Sequence, residues 1–268
     1  MKSDGMNKKR IRRFYNNLAK THWARTPKRY GETPITTFYD RRERSIVRRL
    51  VTVEPNSLIL DLCSGPGRWV LEYGVRGATV IALDISRQVL LTSKKKTDDV
   101  PKIRGNTDFI VADAENLPFT ENVFDIINCF DAFPHFPDQH RAVKEIKRVV
   151  KLGATVILEP SNSWSLIGVG ISLVRFLVPF VGRERMNKLP VWTTAWNKYD
   201  TPLASKHLME AFGLEIQKMI GVLALPIFSH TFAPSLCNFE ERMEGNTLFN
   251  LLGSRIVFIC INEENRTQ

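Results

Sequence analysis

The chain has 268 residues, 43% hydrophobic and 25% charged, proportions ordinary for a soluble globular protein with one large α/β domain or one domain with insertions. Its four cysteines, Cys63, Cys129, Cys237 and Cys260, are scattered with no metal-ligand spacing, and its basic, polar N-terminus lacks the apolar core of a secretory signal. The formal net charge of +10 is uneven: residues 1–50 hold 15 Lys and Arg against 4 Asp and Glu, and the remainder holds 23 against 24.

Residues 6–24 have helical spacing, with Ile11, Phe14, Tyr15, Leu18 and Trp23 near one face. Pro27 interrupts, and residues 36–52 make a second helix presenting Ile46, Val47 and Leu50. The basic excess of these helices suggests an acidic partner: an anionic membrane surface, nucleic acid or a phosphorylated substrate. A solvated helical face would give the same charge run.

From residue 57 strands and helices alternate. Strands are expected over 57–62, 78–84, 107–112, 123–130 and 154–159, with helices over 68–76 and 87–96. Asp138 caps a helix running to Lys151, with Ala142, Val143, Ile146, Val149 and Val150 on one face and Gly153 at its end. Residues 160–200 interrupt the pattern. Thr201 and Pro202 open another helix, residues 214–220 form a sixth strand, residues 222–253 insert again, and 255–262 close the sheet. Near-continuous apolar strands separated by helices predict a doubly wound, seven-stranded, mostly parallel α/β sheet. N-terminal helices over 1–53 and helical lid insertions at 160–200 and 222–253 would flank a core domain over 54–262, with 263–268 as a tail.

The stretch 58–69, Leu-Ile-Leu-Asp-Leu-Cys-Ser-Gly-Pro-Gly-Arg-Trp, reads as strand, tight turn and helix N-terminus. In an open parallel sheet a ligand sits beyond the carboxyl ends of the strands. There the chain places Asp61 with the Ser64–Gly67 turn, Asp84, Asp113 with Ala114, and Asn128, Cys129 and Phe130. A dinucleotide fingerprint needs a small residue where Val70 stands, and no Lys-Ser/Thr of a P-loop follows the turn. A carboxylate beside the turn repels a pyrophosphate but suits a cationic ligand. S-adenosylmethionine carries an ammonium, a sulfonium and no phosphate.

With Leu60–Gly67, Val80–Asp84, Asp113–Phe119, Phe124–Ile127 and Glu145–Gly153 in this order, the chain resembles class I S-adenosylmethionine-dependent methyltransferases. The likeness is to the group that includes the ubiquinone and menaquinone biosynthesis enzymes. It covers residues 35–160 strongly and the closing strand weakly. It implies a Rossmann-like methyltransferase fold and S-adenosylmethionine as cofactor. Asp61, Ser64, Gly65 and Gly67 would hold the methionine part, Asp84 with Ile85 the ribose end, Asp113 and Ala114 the adenine, and Phe130 the pocket wall. Cys63 and Pro66 depart from the usual Gly and Thr of that turn.

Methyl transfer asks the protein mainly to position an acceptor, with a general base where a hydroxyl or acidic carbon is methylated. His135 is the candidate base; His230, Tyr199 and Glu159 are weaker ones. Trp164, Phe176, Phe180, Trp192, Trp196, Phe228 and Phe232 make the insertions aromatic and favour a small hydrophobic acceptor: a quinone precursor, an aromatic natural product or a lipid. The apolar run 164–182 carries Arg175 and Pro179, so it suits an interfacial helix better than a membrane span. The cysteine usage fits a reducing, cytoplasmic setting, with peripheral membrane contact an added expectation. Two other readings stay open: an RNA methyltransferase gripping phosphates with its basic segment, less favoured because no RNA-binding fold is visible, and a non-catalytic cofactor-binding module.

Overall fold

The computed structural model describes residues 8–23, 33–103, 105–170, 172–173, 198–223 and 233–263. Seven strands form one sheet: β1 (Leu58–Leu62), β2 (Thr79–Asp84), β3 (Thr107–Val111), β4 (Phe124–Cys129), β5 (Val150–Leu158), β6 (Leu214–Val222) and β7 (Arg255–Asn262). Their order across the sheet is β3-β2-β1-β4-β5-β7-β6. The first five pair in parallel, Leu60 standing between Ile81 and Ile127, while β7 runs antiparallel to both β5 and β6. The closing strand therefore sits inside the sheet, between β5 and β6.

The sheet is buried on both faces, which is why β1 and β4 are largely apolar, interrupted only by Asp61 in β1 and by Asp125 and Asn128 in β4. Alternation sends Ile59 into one core and Leu60 and Leu62 into the other. The first core is covered by α2 (Pro34–Leu50), α3 (Arg68–Gly74) and α7 (Ala233–Met243), through Phe38, Ile46, Val70 and Cys237 among others. The second is covered by α5 (Gln139–Val149) and α6 (Pro202–Ala211). In α5, Ala142, Val143, Ile146 and Val149 are all fully buried, and Asp138 caps its start by accepting from Arg141 N–H at 3.0 Å. Burying each such Val or Ile stabilises the fold by roughly 1.5–3 kcal/mol.

Helix α5 ends earlier than its periodicity predicts. Val150 already pairs with Phe124, and Gly153, at φ +72°, lies within β5 rather than at a helix end. Val149 and Val150 satisfy a helix face and a strand equally well, so apolar spacing alone cannot place the boundary. The first helix is also shorter than expected: α1 spans Lys8–Leu18 and gives way to a wider π-type turn over Ala19–Trp23. The remaining helices are α4 (Arg87–Asp98), packed beside α1, and the short α8 (Thr247–Leu252) against β6. Of the first interruption, residues 166–170 are helical. Phe176, Phe180, Trp192, Trp196, Phe228, His230 and Phe232 lie outside the described residues.

Much of the basic excess of α2 is neutralised internally. Arg42 is fully buried and pairs with Glu244 at 2.7 Å and Glu240 at 3.5 Å. Arg44 and Arg48 both reach Glu72 of α3, Arg48 Nε at 2.7 Å. These arginines clamp α2 to α3 and α7.

Gly67 begins α3 at φ +85°, a conformation that disfavours a Cβ, and a Cβ there would overlap Ser93 Oγ of α4. It lets two helices approach. Gly67→Ala is expected to lower stability by about 1–3 kcal/mol, measured by denaturant unfolding, with Gly67→Ala/Ser93→Gly recovering part of the loss. Equal stability of wild type and the single variant would contradict the packing role.

Candidate functional site

The strand order reverses between β1 and β4, and the carboxyl ends of β1, β2 and β4 open into a pocket of about 880 Å³ including its mouth. The turn after β1 is held by Ser64 N–H donating to Leu83 O at 3.0 Å. Cys63 and Gly65 adopt left-handed conformations, φ +58° and +55°, which explains the preference for Gly that the first of these positions shows in related turns. Ser64, Gly65 and Pro66 line the pocket. Gly67 does not; its neighbour is Ser93.

Asp61 is almost fully buried at the pocket floor. Asn128 Nδ2 donates to its Oδ1 at 2.9 Å, and Tyr73 Oη donates to Asn128 Oδ1 at 2.9 Å, fixing the amide. Asp61 Oδ2 is buried with no hydrogen-bond partner. Burial pushes this carboxyl up to about 7, against the opposing pull of Asn128 and the Arg68 guanidinium.

Asp84 accepts Gly65 N–H at 3.2 Å on one oxygen and Ser86 N–H at 2.9 Å on the other, coupling the first turn to the second. Ile85 follows in the wall. Asp113 accepts Glu115 N–H at 3.0 Å and Lys8 Nζ at 2.6 Å, and Ala114 lines the pocket beside it. Phe130, just past β4, stacks on Trp69 with centroids 4.5 Å apart, and Arg68 lies over Trp69 at 4.5 Å. His135, in a 3₁₀ turn over Phe133–His135, lines the same pocket with its ring edge-on to Tyr15 at 6.0 Å.

Glu159 stands apart from the pocket wall, in a buried ionic cluster. Arg255 at the start of β7 pairs with Asp131, with Glu159 at 3.3 Å and with Glu43 at 3.6 Å, and lies over the Tyr39 ring at 4.1 Å. Burial and the neighbouring Glu43 push the Glu159 carboxyl well above the usual range, despite Arg255. The cluster reaches the pocket through Asp131, whose φ of +58° is held by Arg255 and by its own N–H donating to Glu159 Oε2 at 2.9 Å. Tyr199 is partly buried, beside the bridge joining Asn162 to Asp200.

Sequence reasoning missed Arg68 and Trp69, although they follow the turn directly. It also missed that α1 roofs the pocket with Lys8, Ile11 and Tyr15. Their spacing marks one helix face, but nothing local says what that face covers.

The shifted carboxyl sets a sign for stability. Asp61 has a folded-state value of about 7 against 3.8 for a solvated aspartate, so the native state binds the extra proton between the two. Stability contributed by this group therefore falls as pH rises from about 4 to about 7 and stays low above. Asp61→Asn is expected to stabilise the ligand-free protein at pH 8 by about 1–3 kcal/mol, the gain shrinking toward pH 4. Urea titrations across that range check it; a variant less stable at pH 8 would remove the assignment.

Residues 60–158 match the family model described as a methyltransferase domain. Demethylmenaquinone methyltransferase of Bacillus cereus (strain B4264) is 30% identical over 152 residues, covering 52% of this chain and 61% of the relative. The chain thus spans about three-fifths of the length of the curated relatives it matches. Magnesium protoporphyrin IX methyltransferase of Synechocystis PCC 6803, solved with bound SAH, shares the fold at a TM-score of 0.68 and 15% identity, over 96% of this chain and all (100%) of that one. The cyclase SpnF shares it at 0.65 and 15% identity, over 96% of this chain and 97% of that one. Residues 60–158 thus resemble a methyltransferase domain, and the strand order agrees with the fold of the solved neighbours.

Proposed function

We propose that the chain is an S-adenosylmethionine-dependent methyltransferase acting on a hydrophobic small molecule. The observation that carries the cofactor reading is Asp61 Oδ2, a buried carboxylate oxygen without a hydrogen-bond partner on the floor of a pocket that also holds Asp84 and Asp113. A phosphate would be repelled there, whereas a cationic adenosine ligand would supply the missing partner. Asp61 would hold the amino acid part, Asp84 the ribose hydroxyls, and Asp113 with Ala114 the adenine edge. When bound, the cofactor supplies an electrophilic methyl group.

The chain's own residues provide the rest. Asn128 fixes the orientation of Asp61. Phe130 and Trp69 present a stacked apolar wall that keeps water away. His135 lines the same pocket and is proposed to take a proton from the acceptor hydroxyl or carbon acid. The acceptor is proposed to be a quinol or a related hydrophobic ring. Support comes from the similarity to demethylmenaquinone methyltransferases and from the aromatic composition of the insertions. We propose residues 54–262 as the catalytic domain and 1–53 as its cap. The presence of a cyclase on the same fold makes it necessary to test binding and transfer separately.

Calorimetric titration with the demethylated cofactor tests binding. Asp84→Ala is expected to weaken it by about tenfold or more while unfolding stability changes little; unchanged affinity would remove the ribose assignment. Wild-type affinity should fall about tenfold per pH unit below about 7, as Asp61 takes up its proton. Transfer of labelled methyl to a prenylated 1,4-naphthohydroquinone tests the reaction. His135→Ala should lower kcat by roughly 10²-fold with cofactor affinity unchanged. A variant with wild-type turnover would exclude His135 as the base.

A further inference from the structure

Helix α1 is fixed to the domain at both ends. Toward its C-terminal end, Tyr15 and Leu18 pack with Ala19 on the fully buried Val89 of α4, and Asn16 Oδ1 accepts from Ser86 Oγ at 2.7 Å. At its N-terminal end, Lys8 Nζ bridges Asp113 Oδ2 at 2.6 Å and Glu115 Oε2 at 2.5 Å. The bridge falls on the atom that an adenine ligand needs. Asp113 Oδ1 is turned back into its own loop, accepting Glu115 N–H at 3.0 Å. Oδ2 is the oxygen left to meet an exocyclic amine, and Lys8 holds it. Glu115 is fixed from its other side, its Oε1 accepting Asp138 N–H at 2.8 Å at the start of α5.

An ammonium and an aromatic amine are rival donors for that oxygen. The ammonium makes a charge-assisted bond, the stronger of the two as a single contact. Sharing the oxygen would set the ammonium against the electropositive hydrogens of the amine. The Lys8–Asp113 pair is about one-third exposed on both sides, so solvent screens it and its net worth is small. A ligand anchored also at Asp61 and Asp84 can therefore displace Lys8 from Asp113. The displaced ammonium keeps the buried Glu115 as its partner.

We propose that Lys8 determines specificity at the nucleoside end of the pocket: it holds Asp113 Oδ2 as an internal competitor, and a purine binds there by exchanging its exocyclic amine for the ammonium. The inference rests on the reading that Asp113 meets the adenine of S-adenosylmethionine. Two consequences follow from the exchange. A purine with an oxo group in place of the amine meets the Lys8 ammonium instead of a bare carboxylate, so Lys8 narrows the discrimination between amino and oxo purines. A neutral nucleoside has no charge for salt to screen, yet its affinity responds to salt because an ion pair of the protein must open first.

The full chain is titrated calorimetrically with adenosine and with inosine, both neutral, at about 20 mM and about 500 mM salt. The wild-type Kd for adenosine is expected to fall about 2–5-fold as salt rises. Lys8→Met should bind adenosine about 2–5-fold tighter than wild type at low salt and lose the salt response. It should bind inosine no tighter than wild type does. Lys8→Arg, which keeps the charge, should keep the salt response. Should Lys8→Met unfold, the wild-type salt response and Lys8→Arg decide the matter. Unchanged or weaker adenosine binding by Lys8→Met overturns the proposal, as does a wild-type Kd that does not fall with salt. Equal tightening of adenosine and inosine overturns it too, because a loosened helix would favour both. Failure of wild type and variants alike to bind adenosine or the demethylated cofactor at either salt concentration would overturn the functional reading and this inference together. Binding without the differences between variants would overturn the role of Lys8 alone.

Discussion

A carboxylate taken out of water must find a partner or hold its proton, and Asp61 is built between those outcomes. Its position at the end of β1, with strands on both sides, removes it from solvent. Asn128 and Arg68 compensate in part, and one oxygen is left over. The surrounding architecture follows from keeping that oxygen in place. Tyr73 holds Asn128, Arg68 stacks on Trp69 and pairs with Glu43, and Glu43 belongs to α2. A fully apolar floor would give a more stable protein with nothing to attract a cation.

A second set of buried charges, around Arg255, surrounds the wall on the side of β4 and β5. It joins α2, the ends of β4 and β5, and β7, four elements far apart in sequence. No single pair here needs to be strong. Removing the arginine would leave three carboxylates facing one another, so the cluster acts as one unit and fixes Asp131 at the pocket edge. The positive charge of residues 1–50 thus divides by helix. That of α2 cements the fold, and that on the outer side of α1 faces outward.

The sheet was legible because burial on both faces leaves a signature in the residues themselves: Ile59, Leu60 and Leu62 point to different layers yet are all apolar. The acidic turns were legible because a carboxylate ending an apolar strand is out of place unless something needs it. Other features had no local trace. The antiparallel place of β7 depends on which edge β5 leaves open, which no stretch of sequence encodes by itself. Gly67 looked like part of the ligand turn, since glycine at a turn fits close approach to a ligand and close approach to Ser93 equally well. The roof formed by α1 and the arginine-centred cluster depend on contacts between residues 100 or more positions apart, such as Lys8 with Asp113 and Arg255 with Asp131. Periodicity reports a face, never its neighbour.

The interior placement of β7 also has a consequence for biogenesis. During synthesis β5 leaves the ribosome with one edge unpaired, and its neighbour in the finished sheet follows only on the order of 100 residues later, an interval of roughly 5–20 s at ordinary translation rates. Through that time the nascent sheet exposes an aliphatic strand edge, and Glu159 lacks the guanidinium that will neutralise it. The growing chain is then at its most adhesive, so holding chaperones would matter most in that window, before Arg255 arrives to complete both the sheet and the ionic cluster.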